Sequence, residues 1–362
     1  MTKTEKNYLK SIELLGEQIK QSYQEAGEIK LPASYGQVNK IVACGMGGSQ
    51  LGVDLVSSLF AKELKVPIIQ VRDYQLPGFV DEKTLVLLIS YSGTTEEVLS
   101  ISSKLKTPFG SAQGRQNLKL IVITTGGRLA QIARKNHWPL YKFEPKNNPS
   151  GQPRMGTGYV IGSLLAILKK LQLIKVSGDQ LNDILKLKTP FGSAQGRQNL
   201  KLKTKNLKNK IIVIVAAEHL AGNAHIIANQ INESAKQFAC YFILPELNHH
   251  LLEGLAYPRQ KNIFFLFLNS KNYHPHNQKR FQITQEVLKK QKIGLTEINF
   301  ADPLRRSFSE ASPLRRIEAS SKIIEALSFL YWGGQLSYQL AKLNRVNPNF
   351  IPWVNYLKKK LS

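Results

Sequence analysis

Cysteine is nearly absent from this chain of 362 residues: there are two, Cys44 and Cys240, each in an apolar, strand-like run. Two thiols cannot build a disulfide framework, and no C-x-x-C or Cys/His spacing points to zinc. Acidic side chains are scarce as well, 25 Asp and Glu against 50 Lys and Arg, a formal net charge of +25. So basic a chain suits a nucleic acid, an anionic membrane or a phosphorylated substrate, or carries its charge as a general surface property. Long hydrophobic runs are missing too; Ile211–Ala217 falls far short of the roughly 20 residues that span a bilayer. No apolar core of signal-peptide length follows Met1 to Lys6. These absences predict a reduced, cytoplasmic protein with no membrane partner and no metal. What is present is ordinary for a globular chain, 42% apolar residues and 25 glycines, at a length that suits two domains. A disordered tail protein, a disulfide-stapled miniprotein and a collagen-like rod are excluded.

Apolar residues at Tyr8, Ile12, Leu15 and Ile19 predict one helix over residues 4–26. Short β-rich runs separated by helical stretches follow, at residues 41–43, 68–71, 85–89, 120–124 and 140–143, then at 211–215, 239–244, 263–268 and 296–300. Strands alternating with helices imply parallel strands joined by crossovers. The expected fold class is α/β, two tandem units, each a mainly parallel sheet flanked by helices. Their expected bounds are 1–175 for the helix plus first unit, 176–210 for a linker, and 211–362 for the second unit. A long helical pattern, residues 317–343, closes the chain ahead of a Lys-rich end. Trp138, Trp332 and Trp353 sit at apolar positions and read as core or interface anchors.

Residues 104–120 and 186–202 are the same seventeen residues, KLKTPFGSAQGRQNLKL. The flanks differ and the unit is too small for a solenoid, so the copies look inserted. Their Gly, Ser, Pro and Gln favour loops, and an inert surface insertion outweighs a shared binding peptide. Each copy carries three Lys and one Arg with no acid, so together they hold eight of the 25 excess charges. A shorter duplication, Pro-Leu-Arg-Arg, occurs at residues 303–306 and 313–316.

Two loops carry chemistry. The first, Cys44-Gly45-Met46-Gly47-Gly48-Ser49-Gln50, follows a strand-like run and precedes a helical one. Glycines there admit an anion to the backbone, and the next helix start offers N–H groups. A dinucleotide fingerprint fails, because Gln50 stands where its last small residue belongs. The second loop, Ser90-Tyr91-Ser92-Gly93-Thr94-Thr95-Glu96-Glu97, clusters four hydroxyls at a strand end. Thr94 or Thr95 suits a helix cap, which accounts for one hydroxyl and not for four. Hydroxyls and helix N–H groups together make a cradle for a dianionic phosphate.

With the Thr124-Thr125-Gly126-Gly127 turn, these loops resemble a sugar isomerase (SIS) domain. Gln152-Pro153-Arg154, Asn232-Glu233-Ser234-Ala235-Lys236 and Pro245-Glu246-Leu247-Asn248-His249 narrow the likeness. In that order the chain resembles the bifunctional phosphoglucose/phosphomannose isomerase family from about residue 38 to its end. The resemblance implies a cofactor-free isomerase of hexose 6-phosphates, with glucose 6-phosphate and fructose 6-phosphate interconverted and mannose 6-phosphate open as a further substrate. It also implies a homodimer with its site between subunits. It assigns the proton shuttle to Glu233, ring opening to His249 and the enediolate's cation to Arg154. The phosphate falls on Gly48, Ser49, Ser90, Ser92 and Thr95.

Each residue has a plainer reading. Glu233 could be one more solvated helix carboxylate, although the apolar run before it makes a buried, pKa-raised position natural. His249 and His250 would point opposite ways in an extended segment, and His249 is the matching position. Arg154 could be one more surface arginine, although Pro153 and a helix beginning near Gly156 favour a fixed, inward fork. Near the end, Asn347-Pro348-Asn349 stands where the family shows Asp-Pro-Thr, a departure that bears on tolerance at C2. His274-Pro275-His276 lacks a third ligand and reads as a loop. The alternative function is a non-catalytic SIS-domain sensor or regulator, which would keep the hydroxyl loops without needing Glu233 or His249. Only one helix fits ahead of residue 38, too little for a helix-turn-helix, and no aromatic-plus-basic signature marks a specific nucleic-acid partner.

Overall fold

The computed structural model describes residues 2–105, 118–185, 204–299 and 314–361. The chain divides into two compact units, Leu14–Lys186 and a second made of Met1–Glu13 with Leu187–Ser362.

In the first unit β1 (Lys40–Cys44), β2 (Ile68–Val71), β3 (Thr84–Ser90), β4 (Lys119–Thr124) and β5 (Leu140–Lys142) form one sheet. Its order is β2-β1-β3-β4-β5, and every neighbouring pair is parallel. All seven residues of β3 are buried, as a central strand covered on both faces must be. The helix Thr157–Lys170 is apolar on nearly every side and buried along twelve residues, so it packs as a core element. It lies tightly on the helix Leu15–Gly27: a Cβ on Gly158 would come within 2.7 Å of the Gln18 Cβ.

The second unit repeats the plan with β6 (Ile211–Ala217), β7 (Ala239–Leu244), β8 (Ile263–Leu268) and β9 (Gly294–Ile298). The order β7-β6-β8-β9, again all parallel, is that of the first sheet without its fifth strand. The expected α/β class with two parallel sheets therefore holds. The last strand lies two residues earlier than its apolar run suggested.

Three local differences have physical causes. The single helix expected over residues 4–26 is two, Lys3–Glu13 and Leu15–Gly27, separated at Leu14 (φ −85°, ψ 9°). Each half buries its apolar face in a different unit. In the second unit, the Tyr8 hydroxyl donates to Ser234 Oγ at 2.6 Å and its ring stacks 6.0 Å from that of Tyr338. The segment 176–210, expected as a linker, is folded at both described ends. Gly178–Leu185 is a helix of the first unit with Ile184 buried, and Leu207 is buried in the second unit, its carbonyl accepting from Gln237. Finally, Trp332 is core and Trp138 packs on the first unit's core, but Trp353 is 81% exposed on the helix Pro352–Leu361. Among the described residues no helix is long and apolar enough to cross a membrane.

Most of both seventeen-residue copies lies outside the described residues, as does residues 303–306 of the shorter duplication. The described ends of the first copy are fold, not insertion. Lys104 closes the helix Glu96–Lys104, and Leu118 and Leu120 pack in the sheet's core at β4.

Candidate functional site

In the first sheet the strand order reverses between β1 and β3, the place where open parallel sheets take ligands beyond their C-terminal ends. Three loops emerge there, each leading into a helix: Gly48–Leu59 after β1, Glu96–Lys104 after β3 and Gly127–Lys135 after β4. None of the three helix starts receives a side-chain cap. Gly47 and Gly126 have no side chain to give. Thr95 holds the N-cap position, but its Oγ1 lies 2.7 Å from Ser90 Oγ instead of bonding the helix. Backbone carbonyls take the N–H groups of Ser49, Gln50 and Leu129, and no side chain competes with an anion for the remaining helix starts.

The loops are stitched into one surface. The Tyr91 N–H donates to Ser49 Oγ at 2.9 Å, and the Gly93 N–H donates to Ser90 Oγ at 3.0 Å. Ser92 Oγ and Thr94 Oγ1 are 2.9 Å apart. Thr125 donates through both its N–H and its hydroxyl to Tyr91 O, at 3.0 and 2.7 Å. Gly93 sits at φ +68°, and a Cβ there would overlap the Gly126 carbonyl, so only glycine closes this corner. Ser49 and Ser90 are buried, Gly48 and Thr95 half-buried, and Ser92 exposed.

Arg154 belongs to the same surface. It lies in the short turn Pro153–Met155 ahead of the helix Thr157–Lys170, and it is 2% exposed, the inward fork that its neighbours predicted. Its backbone passes so close to Gly48 that a Cβ there would stand 2.8 Å from Arg154 N. Arg154 Nη1 donates to Gln152 Oε1 at 3.0 Å. Asn148, itself buried, donates through Nδ2 to the Gln152 carbonyl and to the Tyr91 hydroxyl, both at 2.9 Å. Burial pushes the Tyr91 phenol up, opposed by the Asn148 hydrogen bond, so it stays a neutral side chain. Sequence reasoning missed Tyr91 and Asn148. The turn chemistry of Asn147-Asn148-Pro149-Ser150-Gly151 was the available signal.

The second unit holds Glu233 and His249. Glu233 lies in a five-residue π-turn, Ile231–Ala235, at the end of the helix Ala221–Gln230. Such turns recur at functional positions. The turn projects Glu233 to a half-buried place, a correction to the buried one its apolar flank suggested. The turn is held firmly. Asn232 and Ala239 exchange two hydrogen bonds, of 2.7 and 2.9 Å. Lys236 donates to the carbonyls of Glu233 (2.6 Å) and Asn347 (3.1 Å), and Asn344 donates to the Ala235 carbonyl at 3.0 Å. The Asn347-Pro348-Asn349 turn is therefore a neighbour of the Glu233 segment.

His249 is exposed near the start of the helix Leu247–Gly254, beyond the other end of β7. Because the segment is helical, His249 and His250 diverge by about 100° rather than pointing opposite ways. Asn248 anchors the helix start: its Nδ2 donates to Thr284 Oγ1 at 2.8 Å, and its Oδ1 accepts from Arg280 Nη1 at 3.1 Å. Glu233 precedes β7 and His249 follows it, so the whole six-residue strand stands between them. Its rise is about 20 Å at roughly 3.3 Å per residue. The fold of one chain does not bring this carboxylate and this imidazole together.

Residues 199–361 match the model of the bacterial phospho-glucose isomerase C-terminal SIS domain. Over 97% of this chain and 98% of the relative, the sequence is 31% identical to a bifunctional phosphoglucose/phosphomannose isomerase of Caldicellulosiruptor bescii. It is 30% identical to the protein of the same name from Aquifex aeolicus, over 89% of this chain and 90% of that one. Among solved structures, a hypothetical protein of Thermus thermophilus aligns at TM-score 0.64 and 16% identity, covering 100% of this chain and 91% of that one. The C-terminal domain of a Francisella tularensis glucosamine-fructose-6-phosphate aminotransferase aligns at TM-score 0.62 and 16% identity, covering 92% and 96%. These two likenesses show a shared fold.

Proposed function

The chain belongs to the bifunctional phosphoglucose/phosphomannose isomerase family, and on that premise we propose that it interconverts glucose 6-phosphate and fructose 6-phosphate, and accepts mannose 6-phosphate. It is an intramolecular isomerase, and no external electron acceptor enters the reaction. The observation that carries the reading is the convergence, at the first sheet's switch point, of three helix starts without side-chain caps and the hydroxyls of Ser49, Ser90, Ser92 and Thr95. Helix N-termini and hydroxyls suit a phosphate dianion without a lysine or a metal in direct contact.

With the phosphate held, the reacting end of the sugar needs three services. His249 exchanges the proton that opens the ring. Glu233 removes the C2 proton of the open aldose, and the electron pair moves into the C1–C2 bond as the C1 carbonyl becomes an enediolate oxygen. The Arg154 guanidinium faces that oxygen and carries the opposite charge. Glu233, now protonated, returns the proton to C1, while the O2 proton passes to O1, so that C2 becomes the carbonyl and C1 carries the hydroxyl of the ketose. The enediolate is planar at C2, so glucose and mannose 6-phosphates, which differ only there, pass through the same intermediate.

The separation of Glu233 from His249 along β7 supports a homodimer in which the second copy supplies the imidazole. A coupled assay of the purified protein with each sugar tests the function. Turnover of both 6-phosphates, and none of unphosphorylated glucose, is the expected result. No turnover of either phosphate would return the reading to a non-catalytic sensor.

A further inference from the structure

The second sheet has its own switch point, between β6 and β8, and the loops there are built differently. After β6 come Glu218 and His219, and after β8 come Asn269, Ser270 and Asn272. Into this crevice the helix Leu314–Leu343 inserts Glu325, which is 8% exposed. One carboxylate oxygen, Oε2, accepts from Ser270 Oγ at 2.6 Å and Asn272 Nδ2 at 3.3 Å, and lies 3.0 Å from His219 Nε2. A carboxylate offers only acceptors, so the pair is hydrogen-bonded in the tautomer whose Nε2 bears a hydrogen. Both Ser270 and His219 are themselves buried. Asn223, fully buried, donates to the carbonyl of the next residue, Ala326, at 2.7 Å, and so holds the helix at this turn.

The neighbouring helix start is also served from within the chain. Glu218, strained at φ +46°, accepts through Oε1 from His274 N–H and Asn277 Nδ2, both at 2.7 Å, at the head of the helix Pro275–Lys290. The His274 side chain caps the same helix by accepting from the His276 N–H. His274 and His276 thus have a structural use.

We propose that Glu325 is the resident anion of this crevice: its carboxylate takes the place, between the β6 and β8 loops, that a ligand's anionic group takes between the β1 and β3 loops. The second unit then binds no phosphate of its own, and removing the carboxylate uncovers a second anion site made of Ser270, Asn272 and His219. The inference rests on the proposed function only for the phosphate's position in the first unit.

Inorganic phosphate is the probe. Equilibrium dialysis of the full chain counts bound phosphate for wild type and Glu325→Ala, with thermal unfolding followed in chloride and in phosphate at equal ionic strength. The variant is expected to bind one more phosphate per chain than wild type. It should also melt lower in chloride and regain more of its melting temperature in phosphate than wild type gains. Equal stoichiometry and equal phosphate response in the two proteins overturn the inference. Wild type binding no phosphate counts against the first unit's cradle, whereas the difference between the proteins still reads Glu325. Should Glu325→Ala not fold, Glu325→Gln decides: it sets an amide NH2 among donors and should melt well below wild type. Melting at the wild-type temperature would overturn the proposal.

Discussion

Two sheets with one strand order carry opposite kinds of loop at their switch points. The first presents glycine and hydroxyl loops at its switch point, with three helix starts left uncapped by side chains. The second fills the corresponding crevice with Glu325 and occupies the adjacent helix start with Glu218 and His274. Topology says where a ligand would sit, and the loop residues decide whether there is anything for it to do. The second unit's proposed reactive groups, Glu233 and His249, stand elsewhere, on the π-turn before β7 and the helix after it.

That division predicts that changes at Glu233 and His249 act on turnover and changes in the first unit's hydroxyl loops act on binding. The largest effect belongs to Glu233→Gln, which keeps the size and removes the base. Its kcat should fall by about 10³-fold with KM nearly unchanged, read by the coupled assay. A fall in kcat of less than tenfold would remove Glu233 as the shuttle. Next comes Gly93→Ala, which forces a Cβ into a left-handed corner against the Gly126 carbonyl. We expect a loss of about 2–4 kcal/mol in stability, seen as a lowered Tm by calorimetry. An unchanged melting curve would show that the loops are not held as described.

A smaller change tests binding alone. Ser90→Ala removes the hydroxyl that faces Thr95 Oγ1 and accepts the Gly93 N–H. KM for the sugar phosphate should rise about tenfold, one hydrogen bond's worth, while kcat moves little. The reverse pattern would place the serine at the chemistry rather than at the phosphate.

The smallest effect concerns Cys44 at the end of β1, whose thiol burial pushes up to about 12. The folded value lies above the unfolded one, so this group's contribution to stability is intact below about pH 9 and is lost as pH rises toward 12. Iodoacetamide at pH 8 should leave Cys44 unmodified in the native protein, as peptide mapping would show. Rapid labelling would contradict its burial.

The sequence made the architecture legible because each strand is a short β-rich run between helical patterns. The hydroxyl loops were legible because four hydroxyls exceed what one cap needs. Thr95 shows the limit, since a cap residue by position spends its hydroxyl sideways on Ser90. Leu14 shows another: continuous helical spacing from Tyr8 to Ile19 does not reveal that its two halves pack in different units. The pairing of Glu325 with His219 spans more than a hundred residues, and nothing local in the apolar run around Glu325 announces it. Glu233 and His249 were each found by motif, but their placement at opposite ends of β7 required the fold.

On the proposed function, catalysis joins the carboxylate of one chain to the imidazole of another, and subunit complementation measures it. Glu233→Gln and His249→Ala are each expected to be nearly inactive alone. Mixed in equal amounts and allowed to exchange subunits, they should recover about a quarter of wild-type activity, because half of the dimers are hybrids and each hybrid holds one intact pair. Mixing that exchanges subunits and restores no activity would contradict the account.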